Sequence, residues 1–154
     1  MNIKYGVPEN IAKNLVFIDG LGRSGKSVFF GIISSLERME SIKFFYPLEH
    51  ITVAVGLEQP AFLNFAKSFL RINMNELVYN RLLSRNENFR YEDWTGVLNC
   101  ANPKIYFERL LRKDGDNVVD ELRQTDRLFP FITHELMVNL ESLNMLDLDY
   151  DSEF

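Results

Sequence analysis

The sequence predicts an α/β fold: a parallel sheet of few strands with a predominantly helical remainder. Three features point there. Leu15 to Ile18 is an apolar run closed by Asp19 and Gly20. It is too short for a helix and reads as a buried parallel strand. After it, Val28, Phe29, Ile32, Ile33 and Leu36 recur at helical spacing and are expected to form one inward face. Ile42 to Tyr46, ended by Pro47, then reads as a second strand. Strand, helix and strand in this order make a βαβ unit, whose crossover is expected to be right-handed.

The remaining elements are mainly helical. "ITVAVG" (51–56) alternates as a strand does and also suits the start of a helical region, so both readings stand. Pro60 fits the first turn of a helix whose apolar face is Phe62, Phe65, Ala66, Phe69 and Leu70. Asn75 is expected to cap a further helix through Leu83. A short helix is expected over Ile105–Arg112, with Gly115 near its end. Asp116 is the expected cap of another, with Val118, Val119 and Leu122 inward. Thr133 is the expected cap of a last helix through Leu143, and the acidic tail 147–154 is expected to fray. Doubly wound nucleotide-binding sheets carry about five strands. The two clear strands here therefore point to a domain that continues beyond residue 154, or to a sheet completed by a partner chain or a second copy.

Composition narrows the class. A chain of 154 residues suits one domain, 1–154. With 46% apolar residues it has material for a core, which argues against global disorder. The net charge of −5 disfavours a nucleic-acid partner. A single cysteine, Cys100, excludes an intrachain disulfide and a cysteine-rich metal site. The first residues lack the apolar core of a signal peptide, and no apolar run approaches the ~20 residues that span a bilayer. A cytoplasmic protein without a membrane partner is the expectation.

The segment between the first strand and its helix, Gly20-Leu-Gly-Arg-Ser-Gly-Lys-Ser27, fits the pattern G-x-x-x-x-G-K-[ST] of a P-loop, or Walker A. Phosphate recognition needs several donors converging on one point with no side chain crowding them. Glycines allow the backbone to form such a nest, and the following helix adds its positive end. Gly20, Gly22, Arg23, Ser24, Gly25, Lys26 and Ser27 are thus the candidate cofactor-binding residues. Lys26 supplies a point charge, and Ser27 suits Mg²⁺ in nucleotide triphosphatases. Those enzymes also need a second acidic ligand ending a later strand. The only late candidates are Asp147 and Asp149, whose segment has little strand character. Asp19 reads as a turn residue.

The loop in "FIDGLGRSGKS", the strand "IKFFYP", the segment 79–97 and "ITHEL" (132–136) together resemble bacterial sulfotransferase-like P-loop proteins. The resemblance implies transfer of a sulfuryl group, without a metal, from 3′-phosphoadenylyl sulfate (PAPS) to a hydroxyl or amine of a small molecule or glycan. It places Arg23 near the 5′-phosphosulfate. Lys26 stands where that family usually has Thr or Ser, which gives the loop Walker A character. The family's 3′-phosphate site follows a later strand, and nothing after Leu146 supplies it.

Other residues suit the same chemistry. Segment 79–97 holds Arg81, Arg85, Arg90, Asn86, Asn88 and Trp94 in a stretch without periodicity, and Arg85 and Arg90 are the expected phosphate or acceptor clamps. His134, with Arg23 and Lys26, is a candidate catalytic residue: a neutral imidazole at that position can take a proton from an acceptor hydroxyl, with Glu135 as the alternative base. His50 and Glu49 follow the second strand, on the edge of a parallel sheet that faces a ligand crevice. The two histidines lack metal-ligand spacing. The phenylalanines 29, 30, 44, 45, 62, 65 and 69 are expected in the core. An ATP- or GTP-dependent kinase using Mg²⁺ is the alternative reading, and a non-enzymatic nucleotide- or anion-binding module the second alternative.

Overall fold

The structure is a computed structural model and describes residues 9–57, 60–113 and 117–146. Its sheet has three parallel strands: β1 (Leu15–Ile18), β2 (Lys43–Phe44) and β3 (Phe129–Ile132), in the order β1-β3-β2. The expected βαβ unit is therefore interrupted: β1 and β2 do not pair, and β3 lies between them. Leu15 faces Phe129 and Ile18 faces Ile132 on one side of β3, while Lys43 and Phe44 face Phe131 and Ile132 on the other.

β3 is the strand that the sequence hides. Phe129, Pro130, Phe131 and Ile132 are all buried, yet a proline inside a central strand argues against that assignment because it has no N–H for the ladder. The register removes the conflict. The amides of Phe129 and Thr133 donate to Asn14 and Ile18 on the β1 side, so the missing N–H of Pro130 falls on the β2 side. There the ladder opens. The Ser41 amide donates to the Tyr106 hydroxyl instead, and the Pro130 carbonyl accepts from Arg81 Nη2 at 3.0 Å. The same gap keeps β2 to two residues, shorter than the expected 42–46.

Six α-helices surround the sheet among the described residues. α1 (Phe30–Ser34) covers one face, where Phe30, Ile42 and Ile132 are buried with Ile18 and Ile33 against them. A 3-10 turn, Lys26–Phe29, precedes α1. Its three residues per turn shift the phase of α1 relative to an unbroken α-helix. Phe30 therefore points inward, whereas Val28, Phe29, Ile32 and Leu36, expected on the inner face, are exposed. The opposite face carries α2 (Tyr46–Gly56), α3 (Pro60–Leu82), α5 (Val118–Gln124) and α6 (Leu140–Leu146), around a core that includes Phe45, Phe129 and Phe131. α4 (Lys104–Leu110) contributes Tyr106 to a smaller cluster with Val97 and Cys100.

"ITVAVG" belongs to α2: Leu48, Ile51, Thr52 and Val55 are its buried stripe, and Pro47 sits in its first turn. α3 is one helix of 23 residues rather than two. Ala66, Leu70, Met74, Val78 and Leu82 are buried every fourth residue straight through the expected boundary. Asn75 is not a cap. Its side chain accepts from the amides of Ile11 and Ala12 and donates to the Glu9 carbonyl, pinning the chain that leads into β1. Asn117 rather than Asp116 precedes α5. Gly115, Asp116 and the tail with Asp147 and Asp149 lie outside the described residues. Of the seven phenylalanines expected in the core, Phe30 and Phe45 are buried, Phe62 and Phe69 half-buried, and Phe29, Phe44 and Phe65 exposed.

Candidate functional site

The parallel strands end at one edge of the sheet, and the candidate residues gather there. β1 runs into Asp19 and the loop 20–25, β2 into Phe45 and Tyr46, and β3 into Thr133 and His134. Gly25 opens the 3-10 turn at φ +82°, a conformation that side-chain-bearing residues rarely adopt. Arg23, at φ 62°, shares that region without being glycine, and its side chain is exposed. Two backbone bonds brace the loop, Ser24 N–H to Leu21 and Val28 N–H to Gly25. The amides of Gly22, Gly25, Lys26 and Ser27 are not used in that bracing, and they are the donors that could hold an anion.

Lys26 folds back over the loop. Its Nζ donates to the Gly20 carbonyl and, at 2.7 Å, to the Thr133 carbonyl. This ties the loop to the end of β3. Asp19 makes a second tie. One carboxylate oxygen accepts from the Thr133 hydroxyl (2.9 Å) and the Leu136 amide (3.0 Å), and the other accepts from the Met137 amide (2.9 Å). Burial raises the Asp19 pKa, but the amides of Met137, Leu136 and Gly20 and the Thr133 hydroxyl outweigh it, and the net shift is downward. Asp19 thus caps the 3-10 turn Leu136–Asn139. Thr133, expected as the cap, closes β3 instead, donating its amide to Ile18.

His134 is the next residue along the chain. Glu49, in the first turn of α2, accepts from the His134 amide at 2.6 Å and lies 3.2 Å from Nδ1 through the same oxygen. With the proton assigned to Nδ1 by this bond, Nε2 is left as an acceptor. Phe44 and Tyr46 stack on the imidazole within 7° of parallel, at centroid separations of 6.3 and 6.2 Å. The two rings also stack on each other at 5.5 Å. Glu49 therefore serves His134, and His50 is an exposed residue one step further along α2.

A cavity of about 800 Å³ adjoins the loop, lined by Ser27, Phe30, Phe44 and residues 90–95. Arg90, expected as a clamp, and Trp94 line the same cavity as Ser27. Arg85 does not line this cavity. It sits in the turn after α3, its amide donating to Asn80. Arg81 is buried, with its guanidinium 4.5 Å from the centroid of Phe131, and is removed from any ligand role. Glu135 is exposed and lies outside the stack that holds His134. Glu49, Thr133 and the Phe44–Tyr46 pair were not legible as one site, because they meet only when β3 enters between β1 and β2. Two aromatic residues at the end of a short strand were the one local signal. Among the described residues no three His, Cys, Asp or Glu side chains group as a metal site, and no helix is long and apolar enough to cross a membrane. No protein-family model, curated protein or solved structure matches the chain.

Proposed function

We propose that the chain is a phosphate-loop group transferase that takes a sulfuryl group from PAPS to an acceptor hydroxyl or amine. The observation that carries this reading is that Lys26 bonds to the Thr133 carbonyl, next in the chain to His134, whose imidazole is partnered by Glu49. The choice of PAPS rests on the resemblance of the loop and later segments to sulfotransferase-like proteins. Residues 20–27 hold the phosphate end of the donor. Lys26 exchanges its two carbonyl partners for phosphate oxygens, and Arg23 adds a second positive charge at the loop surface.

The acceptor's proton passes to His134 Nε2 as its oxygen or nitrogen bonds to sulfur. The bond between sulfur and the bridging phosphate oxygen breaks, and its electron pair leaves with 3′,5′-ADP. Lys26 and Arg23 offset the charge that grows on that oxygen, and Glu49 stabilises the imidazolium. A kinase or NTPase is the second reading, favoured by Ser27 beside Lys26 at the mouth of the cavity. Against it, the strand beside β1 ends in Thr133 and His134 rather than in an acid, and the Asp19 oxygens are engaged by backbone amides.

Thermal denaturation with PAPS, 3′,5′-ADP, ATP and GTP, each with and without Mg²⁺, separates the readings, because a bound ligand stabilises in proportion to the logarithm of its concentration over Kd. A shift with 3′,5′-ADP that ignores Mg²⁺ is expected. A shift with ATP or GTP that requires Mg²⁺ refutes the transferase in favour of the kinase. The absence of any shift, with a self-associating chain, supports the non-enzymatic module.

A further inference from the structure

We infer that the apolar face shared by α2, α6 and the turn Leu136–Asn139 is an interface for a second copy of this chain, packed about a two-fold axis. The face shares no residue with the cavity beside Ser27, so its use does not depend on what the loop binds. Its centre is a hollow of about 890 Å³ between the end of α2, the start of α3 and residues 137–145. Val55 and Ser142 are buried at its base, with the half-buried Leu63 beside them. α2 and α6 meet closely there, since a Cβ at Gly56 would lie 2.8 Å from Ser142 Oγ. Asp19 holds the Met137 amide, so the wall formed by the turn is fixed to the end of β1.

Apolar side chains project around the hollow. Val138 is 76% exposed, Met137 67% and Met145 57%, and Leu140 is close to half exposed. Val53 and Leu57, also exposed, extend the face past Gly56 on one side of α2. Six such side chains, each about half exposed or more, present on the order of 500 Å², near the upper limit for one apolar patch on a monomer. A two-fold interface uses the same patch on both copies, so that patch must supply both the projections and the hollow that receives them. This face supplies both. Two copies would bury about 1,000 Å², the area at which specific interfaces begin. Met137 and Met145 are unbranched and adjust to a facing copy. Charge selects no other partner. Among the described residues Glu141 is the only charged one that lines the hollow. It is exposed, and it stays in water at the rim because an unpaired carboxylate is costly to bury.

Sedimentation velocity of the full chain over about 1–200 µM, the range suited to an interface of this size, tests this. The mass is expected to rise from the 18.0 kDa of one chain to twice that and to stop there. Val138→Asp and Met145→Asp each put a carboxylate at an exposed position of the face and should raise the dimer Kd by about tenfold or more. Ile32→Asp, on the exposed outer side of α1, should leave it unchanged. Urea midpoints of the dilute variants should match wild type, which separates a lost dimer from a lost fold. Each copy carries a net charge of −5, so added salt should tighten the dimer, whereas it would release a partner selected by charge. A chain that stays monomeric across the range, association that runs past the dimer, or a dimer that weakens with salt overturns the inference. So does a dimer that Ile32→Asp breaks, or one that Val138→Asp and Met145→Asp both spare.

Discussion

Asp19 ties the end of β1 to the segment that follows β3, and Asp19→Asn tests that coupling. The carboxylate accepts three hydrogen bonds through two oxygens. An amide offers one oxygen and places an NH₂ group against a donor. Whichever way it turns, at least one N–H or O–H loses its acceptor and all lose the charge. Hydrogen bonds to a charged group contribute about 1.5–3 kcal/mol each, so a loss of about 1–3 kcal/mol is expected after relaxation. Urea denaturation at pH 7 measures it, and in a chain of this length each kcal/mol lowers Tm by about 2–4 °C. The pH dependence has a definite sign. Asp19 has a folded pKa below its ordinary value of 3.8, so its contribution is complete above that value and disappears as the pH falls through the folded pKa. Glu40, Glu9 and Asp93 are also lowered and titrate nearby, so the readout is the difference between wild type and variant. That difference should shrink toward zero on acidification below about pH 4. A variant as stable as wild type at pH 7, or a difference that grows on acidification, refutes the cap assigned to Asp19.

Three further outcomes are expected. Glu40 is fully buried and accepts from Arg109 at 2.9 Å through both oxygens, from Arg127 at 2.9 Å and from Tyr106 at 2.8 Å. Glu40→Ala leaves two guanidinium groups uncompensated and should cost about 3–5 kcal/mol in denaturant unfolding, while a loss under about 1 kcal/mol would show that the cluster is solvated. Burial pushes the Cys100 thiol up to about 11, against a smaller opposing effect of Tyr106. At pH 8 its alkylation by iodoacetamide should be about a hundredfold slower in the folded chain than in urea, and equal rates would place the thiol at the surface. Lys26→Ala should remove most of the thermal shift given by whichever nucleotide binds, and an unchanged shift would take the loop out of the site.

The sequence disclosed the local elements of the site and concealed their arrangement. β1, the glycine-rich loop and the start of the next helix were legible because apolar runs, glycine and a fixed motif act over a few residues. β3 was not, since Pro130 forbids a central strand by local rules and is permitted only where β2 opens to admit Arg81 and Tyr106. Losing β3 hid the order of the sheet, and with it every contact that crosses between strand ends. His134 was legible as a chemical group, but Glu49, 85 residues away, becomes its partner only through that order. The inner face of the loop helix departs from the expected one because a 3-10 start changes the phase, which an ideal α-helical spacing cannot anticipate. The departures around the sheet edge share one physical origin. Each arises where a backbone group finds its partner outside its own element: a carbonyl on a buried arginine, an amide on a tyrosine hydroxyl, an amide on a carboxylate from another strand. Lys26 is the extreme case, because a side chain suited to phosphate oxygens bonds to the carbonyls of Gly20 and Thr133 instead. An anion that drew Lys26 off the Thr133 carbonyl would remove one tie to the end of β3 and leave those made by Ile18, Asp19 and Glu49.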